Sequence, residues 1–425
     1  MRLTVVGGGS TYTPELVDGL ARRPAGLPEV SELVLVDPNP DRLAIVGGLA
    51  TRMLARHGHP ARVVCTSDLA AGAAGAGAVL IQIRVGGQAA RASDESFPLE
   101  CGCIGQETIG PGGFAKALRT VPAVLDIART AAAVAPDAWL VNFTNPVGIV
   151  TRALLDDGHS AVGLCNVAIG FQRFFAGLLD RSPDDIVLDH AGLNHLTWVH
   201  RVLVDGSDLL PKLLAERLHE IAAQVELPTA LVAELAAVPS YYLRYFYAHD
   251  TVLAEQLTAP SRAEQVAAIE HELLAQYADP RLADKPALLG QRGGAFYSEA
   301  ALGLLAGLLA APGSAPQRHV VNTRNGGTLP FLPDDAVIEV PALVGPEGAK
   351  PIPPEAPLTP GQAGLVGHVA GYEELALAAA RSGGRQRIVA ALLAHPLVGQ
   401  YERAERLTDL LLAANRVYLP WLDRR

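Results

Sequence analysis

Cysteine, lysine and aromatic side chains are scarce in this chain of 425 residues. Four cysteines (Cys65, Cys101, Cys103 and Cys165) in so long a chain do not make a disulfide framework, and no charged-then-apolar leader stands at its start. A reducing cytoplasm is the expected setting. No apolar run approaches the roughly 20 uncharged residues that span a bilayer, which argues against a membrane protein. A basic surface is missing too. The 34 Lys and Arg stand against 44 Asp and Glu, a formal net charge of −10, whereas a nucleic-acid partner calls for a basic face. Only four of the basic residues are lysines (Lys116, Lys212, Lys285 and Lys350). The other 30 are arginines, and a local pocket of a few would suffice for a small anionic substrate.

What the chain has is apolar mass, at 49% hydrophobic and 18% charged residues. That supports a large core, in two or three domains or one large α/β body at roughly 100–200 residues per domain. Leu3 to Val6 runs into Gly7-Gly8-Gly9-Ser10, and Thr13-Pro14-Glu15 opens an amphipathic stretch, so the chain begins strand, tight turn, helix. Apolar runs at 32–36, 62–65, 78–83, 138–141 and 161–164 suit buried parallel strands, with a helical pattern over 41–56 and between several of the others. The pattern predicts an α/β fold with a Rossmann-type doubly wound parallel sheet over 1–170. Beyond about Gly170 long Ala/Leu-rich helical stretches (209–237 and 261–277) are interrupted by Gly192-Leu193-Asn194-His195 and by a Gly/Pro/Asn-rich loop at 323–333. A strand is expected at 337–340, a proline-rich stretch without helical period over 342–364, and helix over 373–421. The second domain, 171–425, is therefore expected to be α+β and packed tightly on the first.

Gly7 and Gly9 sit where a strand turns into a helix, so backbone N–H groups and the helix N-terminus can face a pyrophosphate. Tyr12 replaces the third glycine of G-x-G-x-x-G, which weakens the motif. Asp37, closing the second strand, strengthens it: a carboxylate there accepts from an adenosine ribose and repels a 2′-phosphate, favouring NAD over NADP. Three polar segments follow later strands: Arg84-Val85-Gly86-Gly87 with Arg91, Asn142-Phe143-Thr144-Asn145-Pro146, and Cys165-Asn166. They fall at strand C-termini, the edge where open parallel sheets bind ligands. Cys165 and His195 are possible metal ligands that would leave positions open for substrate oxygens. Each residue by itself is more often a buried core side chain, and spacing alone does not pair them.

Gly7-Gly8-Gly9-Ser10, Arg84-Val85-Gly86-Gly87, Gly105-Gln106-Glu107-Thr108, Asn142-Phe143-Thr144-Asn145-Pro146, Cys165-Asn166-Val167, Asn194-His195 and Arg292-Gly293-Gly294 occur in this order. So ordered, they resemble glycoside hydrolase family 4, from about Met1 to near Trp421, and most closely its 6-phospho-β-glucosidase branch. The resemblance implies a lactate/malate-dehydrogenase-like fold and a hydrolysis that requires NAD and a divalent metal, commonly Mn2+, outside the usual two-carboxylate scheme. It implies hydride transfer from sugar C3 to NAD, removal of the acidified C2 proton, elimination of the aglycone, water addition and return of the hydride. Cys165 and His195 would hold the metal against O2 and O3 of the sugar. Tyr242 would be the base, its pKa lowered by the metal or by Arg244, with Tyr241 one residue away as the alternative. Arg91 and Asn145, with Arg84 and Arg292, would bind the phosphorylated sugar, and Asn142 would lie on the nicotinamide side.

Asn166 stands where α-specific members have an aspartate, which matches the β branch and leaves no assigned general acid. The implied partners are a phosphorylated disaccharide or glucoside and further copies of the chain, as a homodimer or homotetramer. Within the family, activity on α-linked, unphosphorylated or uronic acid substrates is the nearer alternative, and two rivals share the fold. A 2-hydroxy-acid dehydrogenase would need a His/Asp pair with a substrate-loop arginine, and none is clear. A non-catalytic NAD-binding regulator would be favoured by loss of Cys165 or His195.

Overall fold

Each apolar run of the N-terminal half becomes a strand in the computed structural model, which describes residues 1–23, 25–293 and 296–423. Gly294, from the motif at Arg292, lies outside the described residues. The strands are β1 (Arg2–Val6), β2 (Glu32–Val36), β3 (Arg62–Thr66), β4 (Ala78–Ile81), β5 (Trp139–Asn142) and β6 (Ala161–Gly163), all parallel in the order β6-β5-β4-β1-β2-β3. Alternate side chains enter different cores, as the two-residue period demands. Val34 and Val36 meet the helix Gly110–Val134 on one face, while Leu33 and Leu35 meet the helices Thr13–Ala21 and Pro40–Arg56 on the other. Both faces are thus covered, and β4 is buried from end to end.

The second half departs from the expected run of helix. Around the segment that reads as an interruption, β7 (Val187–Leu193) and β8 (Leu196–Val204) form an antiparallel hairpin. Its loop is Asn194-His195, without the glycine that marks most two-residue hairpin turns, which is why the sequence hides it. The stretch 209–237 is three short helices, Leu210–Glu216, Leu218–Val225 and Thr229–Leu235. Small strands β9 (Ser207–Asp208) and β10 (Val238–Pro239) add to β8. Strand β11 (Gln317–Arg324) is unanticipated, β12 (Val337–Gly345) runs longer than expected, and β13 (Gly348–Pro351) pairs with it inside the proline-rich stretch. The last helical region begins earlier than expected, at Pro360, because Thr359 and Gln362 form a capping box. Its helices Pro360–Ser382, Arg385–Leu393 and Tyr401–Asn415 share a core with the helix Gly110–Val134. Among the described residues no helix is long and apolar enough to cross a membrane.

Strands β11 and β12 lie between β6 and β7, so one sheet runs through both halves in the order β10-β8-β7-β12-β11-β6-β5-β4-β1-β2-β3. Register aligns Asn142, Gly163, Asn322, Glu339 and Gly192 in a row across β5, β6, β11, β12 and β7. Gly163 has no space for a side chain: a Cβ there would stand 2.2 Å from Thr151 Oγ1 and 2.9 Å from Asn322 Cβ. Gly163→Ala is expected to cost about 1–3 kcal/mol by overpacking. Urea unfolding should show a lower midpoint at unchanged slope.

Candidate active site

A cavity of about 490 Å3 opens along the C-terminal edge of the parallel strands. At one end is the glycine-rich turn. Gly7 has φ +88°, and a Cβ there would come within 2.5 Å of the Gln82 carbonyl oxygen, so the turn needs a glycine. The Gly9 N–H donates to Asp37 Oδ2 at 3.1 Å and the Asn39 N–H donates to Oδ1 at 3.0 Å, which fixes the carboxylate at the end of β2. Ser10 and Tyr12 line the cavity. Tyr12, in the missing glycine's place, sets its ring edge-on to Tyr297 at 5.7 Å.

The arginines named from sequence gather in two groups. Arg84 and Arg91 both reach the buried Glu107, Arg91 at 3.3 Å, and Lys116 joins them at 2.8 Å. Arg91 also pairs with Glu95 at 2.7 Å. Three cations around two carboxylates leave one formal positive charge facing the cavity. Glu107 pays for its burial through these neighbours, since the charges of Lys116, Arg84 and Arg91 outweigh desolvation and hold it well below the ordinary carboxylate range. Burial, with Arg84 beside it, pushes Lys116 down to about 8. In the second group Arg292 pairs with Glu270 at 2.7 Å. Arg262, which the motifs did not single out, is exposed on the cavity rim. It donates to the Gln291 carbonyl at 2.8 Å and has no salt bridge among the described residues.

The turn after β5 divides its asparagines. Asn142 is fully buried, donates to Thr144 O and Thr151 Oγ1 at 3.3 Å each, and accepts from the Thr144 N–H at 2.9 Å. Its side chain shapes the turn. Asn145 lines the cavity, and its Oδ1 is buried without a partner. Such an orphaned acceptor suits a ligand hydroxyl.

Cys165 follows β6 and is buried. The Val167 and Asn166 N–H groups and the Asn194 amide face its sulfur and favour the thiolate, yet burial and the charge of Glu339 keep the thiol well above its ordinary range. Asn166, the residue before the helix Val167–Leu179, lines the cavity beside it. His195 is the second residue of the β7–β8 loop and has φ +66°, a left-handed conformation that costs a non-glycine residue about 1–2 kcal/mol. The turn thereby projects the ring inward. It is buried, and desolvation brings its pKa down to about 4, so one ring nitrogen has a lone pair available to a metal at pH 7. Nδ1 lies 3.4 Å from Thr108 Oγ1.

Tyr242 stacks on His195, with ring centroids 3.6 Å apart and planes 7° from parallel, and its side chain borders the cavity. Arg244 does not serve it. That guanidinium bonds to the Tyr241 hydroxyl at 3.0 Å and to Glu226 and Glu255 at 2.8 Å, so the expectation that Arg244 acidifies Tyr242 is corrected. Burial and Cys165 instead push the Tyr242 phenol upward, against a hydrogen bond with Thr108. Among the described residues no group of three or more His, Cys, Asp or Glu is placed to hold a metal. Tyr297 and Glu339 were not legible as site residues. Tyr297 packs edge-on against Phe143 at 5.4 Å in the cavity wall, and Glu339 lies behind Asn194.

Residues 2–181 match the model of the family 4 glycosyl hydrolases, and residues 190–398 match the model of that family's C-terminal domain. The chain belongs to glycoside hydrolase family 4. It is a glycosidase, and its likenesses within the family run end to end. It is 39% identical over 436 residues to a probable 6-phospho-β-glucosidase of Bacillus subtilis, covering 99% of this chain and 97% of the relative. It is 35% identical to the 6-phospho-β-glucosidase of Escherichia coli, covering 99% and 96%. Among solved structures, the Thermotoga maritima 6-phospho-β-glucosidase with NAD and glucose-6-phosphate superposes with a TM-score of 0.91 at 33% identity, covering 98% of this chain and 99% of that one. A form of that enzyme with manganese, NAD+ and glucose-6-phosphate gives 0.89 at 32%, with the same coverage. A Salinibacter ruber malate dehydrogenase matches at 0.50 and 16% identity over 89% of this chain and 97% of its own, which shows the shared dehydrogenase-like fold.

Proposed function

We propose that this family 4 member cleaves 6-phospho-β-glucosides, with NAD and a divalent cation, Mn2+ by preference. The observation that carries the reading is one cavity that joins the glycine-rich turn, the Arg84/Arg91/Lys116 cluster and Tyr242 beside His195. The residues present suit each group. Gly7, Gly9 and Ser10 leave room for a pyrophosphate, and Asp37 meets a ribose. Cys165 and the neutral His195 are a soft and a borderline donor. A 6-phosphate would compete with Glu107 and Glu95 for Arg84, Arg91 and Lys116, with Arg292 and Arg262 at the rim. Relatives named as 6-phospho-β-glucosidases at 34–39% identity, against 26–28% for those named for α-linked substrates, support the β assignment.

When bound, NAD would supply a hydride acceptor for C3 of the sugar and the cation a Lewis acid. Tyr242 then removes the C2 proton, its ring plane held by His195 and its oxygen by Thr108. Asn145 accepts from a sugar hydroxyl through its unpartnered oxygen. Asn166 orients the leaving group and, having no proton to give as an acid, leaves its protonation to solvent. In this reading the enzyme works in a reducing cytoplasm as a homodimer or homotetramer. The test is hydrolysis in D2O with and without NAD, Mn2+ and a thiol reductant. Deuterium at C2 of the product and dependence on both additions are expected. Full activity after their removal, or product without deuterium at C2, would sink the mechanism.

A further inference from the structure

Glu339 is a carboxylate that the reaction scheme does not use, and it is 1% exposed in the middle of β12. Removing a carboxylate from water costs several kcal/mol unless opposite charge or donors replace the solvent. No lysine or arginine pairs with it among the described residues; its one ion-pair partner is His190, at 3.0 Å. The other contacts are neutral amides, Asn194 Nδ2 donating at 2.7 Å and Asn322 Nδ2 at 3.0 Å. Three strands and a hairpin loop therefore converge on one negative charge.

One of these contacts leads to Cys165 and His195. The Asn194 amide touches Glu339 on one side and the Cys165 sulfur on the other, and Asn194 is the residue before His195 in the two-residue loop. The left-handed turn that aims His195 inward is thus tied to the sheet through Asn194.

We propose that Glu339 is the positioning carboxylate of the Cys165/His195 metal site, acting through Asn194 to hold both ligands and supplying charge without itself being a ligand. The proposal rests on the function inferred above. Outer contacts of this kind typically account for 10–100-fold in metal affinity.

The experiment measures Mn2+ affinity and the electron paramagnetic resonance spectrum of bound Mn2+ in the NAD-loaded protein. The variants are Glu339→Gln, which keeps shape and removes charge, Asn194→Ala, which breaks the link and keeps the charge, and Cys165→Ser. Glu339→Gln and Asn194→Ala should each weaken Mn2+ about 10–100-fold and broaden its spectrum, with NAD affinity and thermal midpoint near those of the parent. If Glu339→Gln does not fold, Asn194→Ala decides alone. Parent-like Mn2+ affinity in either folded variant, with Cys165→Ser defective, overturns the proposal and leaves the functional reading standing. Parent-like Mn2+ affinity in Cys165→Ser overturns both.

Discussion

A Cys165→Ser enzyme is expected to lose Mn2+-dependent turnover by more than the roughly 10–100-fold that an outer contact accounts for. The exchange is nearly isosteric, and the Val167, Asn166 and Asn194 groups that face the sulfur can still bond to the hydroxyl. What disappears is a polarizable donor that can give up its proton to a metal, because a serine hydroxyl does not ionise near neutral pH. NAD affinity should be unchanged, since Gly7 and Gly9 lie in the turn after β1 and Asp37 directly after β2. A kcat/KM series against Mn2+ at saturating NAD, with direct Mn2+ titration, makes the comparison. Parent values of both rate and affinity would remove Cys165 from the ligand set.

Tyr242→Phe is expected to reduce kcat by about 10²–10⁴-fold, the range attributable to one positioned base. Phenylalanine keeps the ring that stacks on His195 at 3.6 Å, so the loss isolates the phenol oxygen. The defect should sit in one step. Exchange of the C2 proton with D2O slows with kcat, while single-turnover formation of NADH persists, because hydride removal precedes deprotonation in the proposed scheme. Tyr241→Phe is the control. Its hydroxyl is bonded to Arg244, and near-parent activity is expected. A larger loss in Tyr241→Phe than in Tyr242→Phe would move the base by one residue.

The parallel half of the fold was readable because its strands are short, apolar and separated by helical patterns, and β2 falls on the expected residues. The hairpin was not. Strands β7 and β8 carry buried Asp189, His190 and Thr197, and their loop lacks glycine, so neither hydrophobic period nor turn chemistry announces them. Glu339 was hidden for a related reason. In a strand buried on both faces, alternation no longer distinguishes core from solvent, and a lone glutamate in Val337–Val340 looks like an outward residue. The arginines were legible in kind but not in company, because pairing with Glu107 and Glu270 depends on segments far apart in the chain. Asn142 and Asn145 share one motif, and only coordinates distinguish the side chain that builds the turn from the one with an acceptor to spare.

The order of strands also sets a schedule for the enzyme's birth. Cys165 and His195 are thirty positions apart in the chain, yet β6 and β7, which they follow, are not neighbours in the sheet; β11 and β12 must enter between them. A ribosome that has delivered residue 200 has made both proposed ligands and neither of the strands that stand between β6 and β7. If the proposed ligands hold the metal, the site is completed only once about Gly345 has emerged, and Mn2+ capture then follows the long-range half of folding instead of templating it.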